Sequence, residues 1–229
     1  MADTPTRVLL VRHGMTDYVK TRCLAGWTPG VSLNEYGRAQ ANALANRLAT
    51  EAIAAIYSSP LERTVETAEA IAACHRLPVV TMEGIAETRC GEWTGQLVEE
   101  LTKSDLWKTI QIAPSRARFP GGESFREIQS RMVSALDELI QAHPEQTIVI
   151  VSHSDPIKLA VAFYIGQPLD LFQRIVIQPA SITELEFSAF TPRLLRTNDC
   201  AHLPPEPKTE EGEQSKDQPV AETVEEEVR

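Results

Sequence analysis

A chain of 229 residues, 42% of them hydrophobic, can bury one sizeable core, and its length favours a single domain. The formal charge of -10 at pH 7 argues against a nucleic-acid partner, because phosphate backbones reward clustered Lys and Arg over a broad face. That charge is uneven, since Pro204 to Arg229 hold nine acidic residues against three basic ones, a net of -6, which leaves -4 for residues 1–203.

The polar opening Met1 to Thr6 lacks the charged, apolar and small-residue regions of a signal peptide, and no run is long enough to span a membrane. Arg7 to Val11 (RVLLV) is a short apolar run broken by Arg12, His13 and Gly14, which reads as a buried strand ending at a polar site. After an irregular Gly- and Pro-bearing stretch from Cys23 to Ser32, Asn34 is placed to cap a helix with apolar positions at Ala41, Leu44, Ala45 and Leu48. Ala54 to Ser58 forms a second strand. Pro60 then occupies a first-turn position for a helix from Leu61 to Cys74.

Val79 to Met82 is a third short strand, followed by a Gly-punctuated segment through Gly122 with one brief helical stretch near Leu97 to Trp107. From Glu123 to Ala142, apolar residues at Phe125, Ile128, Met132, Val133, Leu136, Leu139 and Ile140 make an amphipathic helix. Thr147 to Val151 (TIVIV) is nearly all β-branched and reads as a central buried strand, ending at Ser152 and His153 before a helix from Pro156 to Ile165. Two further strands are expected near Arg174 to Ile177 and Ser181 to Phe187. The alternation predicts an α/β fold: a three-layer sandwich with a mostly parallel, mixed central sheet flanked by helices.

From Pro204 onward the composition shifts toward Pro, Glu, Lys, Gln and Ser with no aromatic, so residues 204–229 are expected to be a disordered acidic tail behind a catalytic domain of residues 1–203. Cys23, Cys74, Cys90 and Cys200 form no CxxC pair, so each is expected to be a small packing residue, and a reducing cytoplasm fits best. The sequence leaves the oligomeric state open.

In open α/β sheets, sites lie beyond the carboxyl ends of the strands, and two strand ends here deliver a histidine, His13 and His153. Either one alone could be a packing or surface residue; the pair points to function. Arg12 adjoins His13, and Arg63 opens the helix after Ser58, Ser59 and Pro60, each offering a planar fork of donors suited to phosphate oxygens. Taken alone, Arg63 could equally pair with Glu62 or Glu66 on the helix surface. Together the four give a compact anion site in an acidic protein, so the partner is a small phosphorylated metabolite. No His and carboxylate cluster has metal-ligand spacing, and neither metal nor cofactor is called for. His75, His143 and His202 fall at helix ends or at the start of the tail and are assigned no chemistry.

These residues resemble the histidine phosphatase (phosphoglycerate mutase-like) superfamily. Val11-Arg12-His13-Gly14 is similar to its LVRHG signature, Ser58 to Thr64 with Glu66-Thr67-Ala68 to its SSPLxRxxxTA segment, and Leu33 to Gly37 with Gln40 and Ala41 to LTxxGxxQA. Glu87 to Gly95 resembles ExxxGxWxG, and Val151-Ser152-His153 matches VSHG up to its last residue. The order and spacing agree from about Arg7 to Phe187. Strings at Ala25 to Val31, Phe119 to Ser124 and Leu169 to Val176 are most similar to a branch labelled as phosphomutases, a label that carries no substrate.

The resemblance implies a metal-independent phosphatase that forms a phosphohistidine on His13. Arg12, Arg63 and His153 would hold the transferring phosphoryl group, and Glu87 would be the general acid. Thr16, Arg22 and Ser154 are carried over as substrate contacts, and Arg116 and Arg118 as candidates for a second anionic group. This chain departs from the pattern at Ser154, where Gly is usual, at Val19 and Ala25, where an Asn and a Gln often hold phosphate, and at Met15, where an acid is common. A phosphomutase that returns the phosphoryl group is the alternative within the class, and a catalytically weak binding or regulatory protein is the alternative outside it. Hydrolysis is expected to prevail, because the insertion between Gly95 and Gly121 is short and its cations, Lys103, Lys108, Arg116 and Arg118, lack the paired-arginine pattern of the mutases.

Overall fold

The computed structural model describes residues 4–206, so most of the acidic tail, residues 207–229, lies outside the described residues. Its first residues, Pro204 to Glu206, are described, and the Tyr36 hydroxyl donates to the Pro204 carbonyl at 2.9 Å.

Six strands form one sheet: β1 (Thr6–Arg12), β2 (Ile53–Ser58), β3 (Val79–Thr81), β4 (Thr147–Ser152), β5 (Ile182–Phe187) and β6 (Arg193–Asp199), in the order β3-β2-β4-β1-β5-β6. The four on the β3 side run parallel to one another, and β5 and β6 add antiparallel on the far side of β1. Central strands must be apolar on both faces, and β1 meets that demand by alternation. Val8 and Leu10 pack with Ile148 and Ile150 against helices α6 (Phe125–Ala142) and α7 (Ser154–Tyr164). Leu9 and Val11 pack with Val149 and Val151 on the other face, against α2 (Glu35–Leu48) and α3 (Glu62–His75). Each such side chain, fully buried, contributes roughly 1.5–3 kcal/mol relative to exposure. The three-layer α/β sandwich is therefore as expected, with a mixed sheet.

Helix starts follow their caps. The Asn34 side chain accepts from the Gly37 amide at 2.9 Å to open α2, and Ser124 with Glu127 forms a capping box on α6. Pro60, however, precedes the cap residue Leu61 and stands outside the first turn of α3. The short α1 (Asp17–Lys20) follows the first histidine loop. The helical stretch near Leu97 is two helices, α4 (Val98–Leu101) and α5 (Asp105–Ile112), resting on a third cluster that includes Trp93, Phe119, Phe125 and Phe172.

Two strand expectations need correction. Arg174 to Ile177 is not a strand, because a 3₁₀ segment, Leu169–Arg174, ends there and the chain runs on unpaired. The edge strand β6 was not anticipated, since RLLRTND buries no residue fully and is held by ion pairs such as Arg196 to Glu184 as well as by its ladder. Nor do all four cysteines pack inside. All four are free, and only Cys90 is buried while Cys74 is exposed.

Candidate active site

Strand register builds the site. The parallel pairing of β1 and β4 sets Arg12 opposite Ser152, so the next residue of each chain segment is a histidine leaving the sheet at the same level. The imidazoles of His13 and His153 meet edge to face with centroids 5.1 Å apart. On the other side of β4, Ser58 of β2 pairs with Val151, which delivers Ser59 and the start of α3 to the same edge.

His13 is almost fully buried, and its Nδ1 lies 2.7 Å from the Gly14 carbonyl. A carbonyl only accepts, so Nδ1 carries the proton and Nε2 is left with its lone pair. Burial, then Arg63 and Arg12, push the His13 pKa well below 6.5, so the ring is neutral at pH 7. His153 shares that fate for the same leading cause. Its Nε2 sits 2.8 Å from Ser59 Oγ and its Nδ1 3.4 Å from Glu87 Oε2. The second distance is long for a hydrogen bond, and Nδ1 has no hydrogen-bond partner in the protein.

Arg63 is 1% exposed, which excludes the surface pairing its position on a helix could suggest. Its Nη2 donates to the Gly26 carbonyl at 2.9 Å and approaches Glu87 Oε2 at 3.7 Å, while Nη1 has no hydrogen-bond partner. Arg12 repeats the arrangement, with Nη1 donating to the Ile177 carbonyl at 2.7 Å and Nε unpaired. Burial lowers both guanidinium pKa values, but from so high a start that both stay charged. Buried donors without partners are costly, by about 1–3 kcal/mol each, and cluster where a ligand is to be held. The Glu87 carboxyl has a raised pKa because burial outweighs the opposing Arg63 charge and the Thr88 amide.

Arg12, His13, Arg63 and Glu87 line one cavity of about 310 Å³. Thr16, Arg22 and Ser154 line it as well, and so do Val19 and Ala25, whose side chains offer no donor. His153 is fully buried and is not among the lining residues, but its unpaired Nδ1 lies 3.4 Å from Glu87, which is one of them. Arg116 and Arg118 are not brought there: both are exposed, and Arg118 is held by Glu127 and the Gly122 carbonyl. A larger cavity of about 580 Å³ lies elsewhere, between Arg126, Gln129, Phe163 and Asp170, but none of the neutral histidines faces it. Sequence reasoning missed Thr88, whose buried, unpaired hydroxyl belongs to a residue on the cavity wall, and gave Ser59 no role. Ser59 stands in the SSPL run and so had a signal, whereas Thr88 occupies a variable position of its motif and had none.

Spacing along the chain also hid a possible metal cluster. Ligand atoms of His13, Glu87 and His153 all lie within 4.8 Å of one another. The two guanidinium groups beside them favour an anion over a cation at that place.

A family model of the histidine phosphatase superfamily, branch 1, matches residues 8–200. The chain belongs to the histidine phosphatase superfamily. Its enzyme class is that of a phosphatase, as in the phosphoserine phosphatases it resembles, while other relatives carry phosphoglycerate mutase names. It is similar to phosphoserine phosphatase 1 of Hydrogenobacter thermophilus, 32% identical over 200 residues that make up 86% of this chain and 94% of that one. A phosphoserine phosphatase of Entamoeba histolytica, solved as a His-to-Ala mutant in complex with phosphoserine, superposes with a TM-score of 0.80 at 28% identity, over 86% of this chain and 99% of that chain. A bifunctional protein of Mycobacterium tuberculosis is 36% identical over 194 residues, 81% of this chain but only 51% of its own length. Among the described residues of this superfamily member, no helix is long and apolar enough to cross a membrane.

Proposed function

We propose that the protein hydrolyses small phosphomonoesters by way of a phosphohistidine on His13, without a metal. The observation that carries this is the environment of His13: a neutral ring with its Nδ1 proton tied to Gly14, beside partly buried Arg12 and buried Arg63 that each keep an unpaired donor. Nε2 attacks phosphorus, the ester P–O bond breaks, and Glu87 gives its proton to the leaving alkoxide. Water then attacks phosphorus as the P–N bond breaks, Glu87 takes a proton from that water, and phosphate leaves with His13 neutral again. Charge on the equatorial oxygens is met by Arg12, Arg63 and His153, so positioning and electrostatics supply most of the rate.

A cavity near the small end of the usual range, roughly 300–1,000 Å³, supports a small substrate. Phosphoserine is the first substrate to test, because relatives act on it or bind it. Within the cavity Arg22 supplies a cation beyond the phosphate pair and Ser154 a hydroxyl. Four free cysteines support a cytoplasmic setting. The test is turnover of 4-nitrophenyl phosphate and phosphoserine with and without a chelator, together with acid-labile phosphate on His13. Equal rates in both conditions and a trapped phosphoenzyme are expected. Loss of activity with chelator would place a metal on the His13, Glu87 and His153 cluster and overturn the metal-free scheme.

A further inference from the structure

Glu87 sits on an irregular segment that no strand or helix holds, yet its backbone is bound almost atom by atom. The Gly84 and Ala86 carbonyls accept from Arg131 Nη1 at 3.0 and 2.8 Å, and the Glu87 carbonyl accepts from Arg131 Nη2 at 3.0 Å. The remaining two donors of the guanidinium go to Glu123, Nε to Oε1 at 2.7 Å and Nη2 to Oε2 at 3.1 Å. All five N–H groups of Arg131 are thereby used. Between them, the Ile85 carbonyl accepts from Ser152 Oγ at 2.7 Å, and Trp27 Nε1 makes a second bond to the Glu87 carbonyl at 2.8 Å. Glu123 also grips the far end of the segment, accepting from the Arg89 amide at 2.8 Å and donating its own amide to the Arg89 carbonyl at 2.9 Å.

Of the four consecutive carbonyls from Gly84 to Glu87, those of fully buried Ile85 and Ala86 need partners inside the protein, but separate donors would satisfy them equally well. A planar fork that reaches three of them from one helix side chain fixes their relative orientation, which a point charge such as Lys does not. Gly84 lets α6 come close enough for this, since a Cβ there would stand 2.7 Å from that of Ala135. The segment so fixed carries one side chain with a chemical task, and its carboxyl must be aimed at a leaving oxygen while standing 3.7 Å from Arg63.

We infer that Arg131, braced by Glu123, is a positioning residue for the general acid: it holds the backbone from Gly84 to Arg89 so that Glu87 protonates the leaving group. The inference rests on the reading of Glu87 given above. Its signature is selectivity between leaving groups, since a phenolate departs unaided and an alkoxide needs the proton.

The experiment compares kcat/KM for 4-nitrophenyl phosphate and phosphoserine in the full chain and in Arg131→Met, Arg131→Lys, Glu123→Gln and Glu87→Gln, with melting temperatures for each. Misplacing a catalytic group by about 1 Å can cost on the order of 10²-fold, so Arg131→Met is expected to lose about 10- to 100-fold on phosphoserine and less than about threefold on the aryl ester. Arg131→Lys should recover only a small part of the loss, and Glu123→Gln should show the same split at smaller amplitude. If Arg131→Met does not fold, the Glu123→Gln split decides. A split in Glu87→Gln with an equal fall on both substrates in the Arg131 and Glu123 variants would overturn the inference alone. No split in Glu87→Gln would overturn the acid assignment itself, and the inference with it.

Discussion

Arg63 and Glu87 approach to 3.7 Å inside the cavity, yet the carboxyl keeps a raised pKa rather than a depressed one. Burial is the larger effect, so the pair is not locked as an ion pair and the acid can hold a proton. This has a direct consequence for pH dependence. His13 acts as a neutral ring, and that form is lost as pH falls through a pKa below 6.5. Glu87 acts protonated, and that form is lost as pH rises through a pKa above 4.5. The kcat/KM for an alkyl phosphate should therefore be bell-shaped, with its acidic limb set by His13 and its basic limb by Glu87, and Glu87→Gln should remove the basic limb. Activity that climbs steadily to pH 9 would contradict both assignments.

Replacing His13 by Ala should abolish turnover and acid-labile labelling, because water cannot take over the displaced step in the same geometry. Arg12→Lys and Arg63→Lys keep the charge but lose the fork that already spends one arm on Ile177 or Gly26 and keeps a donor for the ligand. Each should lower kcat about 10²- to 10³-fold, the usual worth of one transition-state donor. Rates within twofold of the parent would place that arginine outside the reacting centre.

Arg118→Ala should leave kcat/KM for every phosphomonoester within about twofold, since Arg118 lies outside the cavity lining and is engaged only in an exposed, solvent-screened ion pair with Glu127. Arg22→Ala should instead raise KM for phosphoserine and not for 4-nitrophenyl phosphate, because the cation lines the cavity and only the first substrate brings a carboxylate. Equal KM changes on the two substrates would assign Arg22 to the phosphate itself.

Two glycines fix the His13 loop. A Cβ on Gly37 would lie 2.0 Å from the Met15 carbonyl oxygen, and one on Gly14 would lie 2.6 Å from that of Gly37. Backbone atoms cannot yield as a flexible side chain can, so Gly37→Ala should destabilise the fold by about 1–3 kcal/mol, as overpacking does. Activity should fall further than stability does, since relief of the clash moves the loop next to His13. A thermal melt and a turnover assay on one preparation separate the two effects. An unchanged melt would show that α2 can shift freely.

The pattern explains what could be read in the sequence. Arg12, His13 and His153 were legible because each follows an apolar strand, and Arg63 because it follows a strand and a proline. The level at which the strands end was not, since the register that sets Arg12 against Ser152 is a property of the assembled sheet. Arg131 was invisible for a different reason: it lies on the long amphipathic helix like any polar-face residue, and its five partners are backbone carbonyls and a carboxylate brought in by the fold. Arg116 and Arg118 lie outside the cavity lining, a placement not legible beside a Gly-rich turn that gives no direction to its side chains. The edge strand β6 escaped because polar residues suit an exposed edge.

Hydrolysis should dominate over mutase transfer, and the geometry of cations decides it. A mutase keeps a bisphosphorylated intermediate in the site, which requires a second cationic subsite and exclusion of water from the phosphoenzyme. In this cavity Arg12 and Arg63 serve the transferring phosphoryl group, which leaves Arg22 as the further cation on a wall that also carries Glu87 and Asp155. The cations of the insertion are engaged or turned elsewhere: Lys103 pairs with Glu100, Lys108 with Asp105 and Arg118 with Glu127. One further cation in a cavity that also carries two carboxyl groups can hold a substrate carboxylate but is a poor seat for a second phosphate dianion. Followed by phosphate release and by isomer analysis, 3-phosphoglycerate should lose phosphate faster than it becomes 2-phosphoglycerate, with or without added 2,3-bisphosphoglycerate. Isomerisation that outruns release when the bisphosphate is present would mean that Arg22 and the cavity mouth do support a second phosphate, and the hydrolytic assignment would fall.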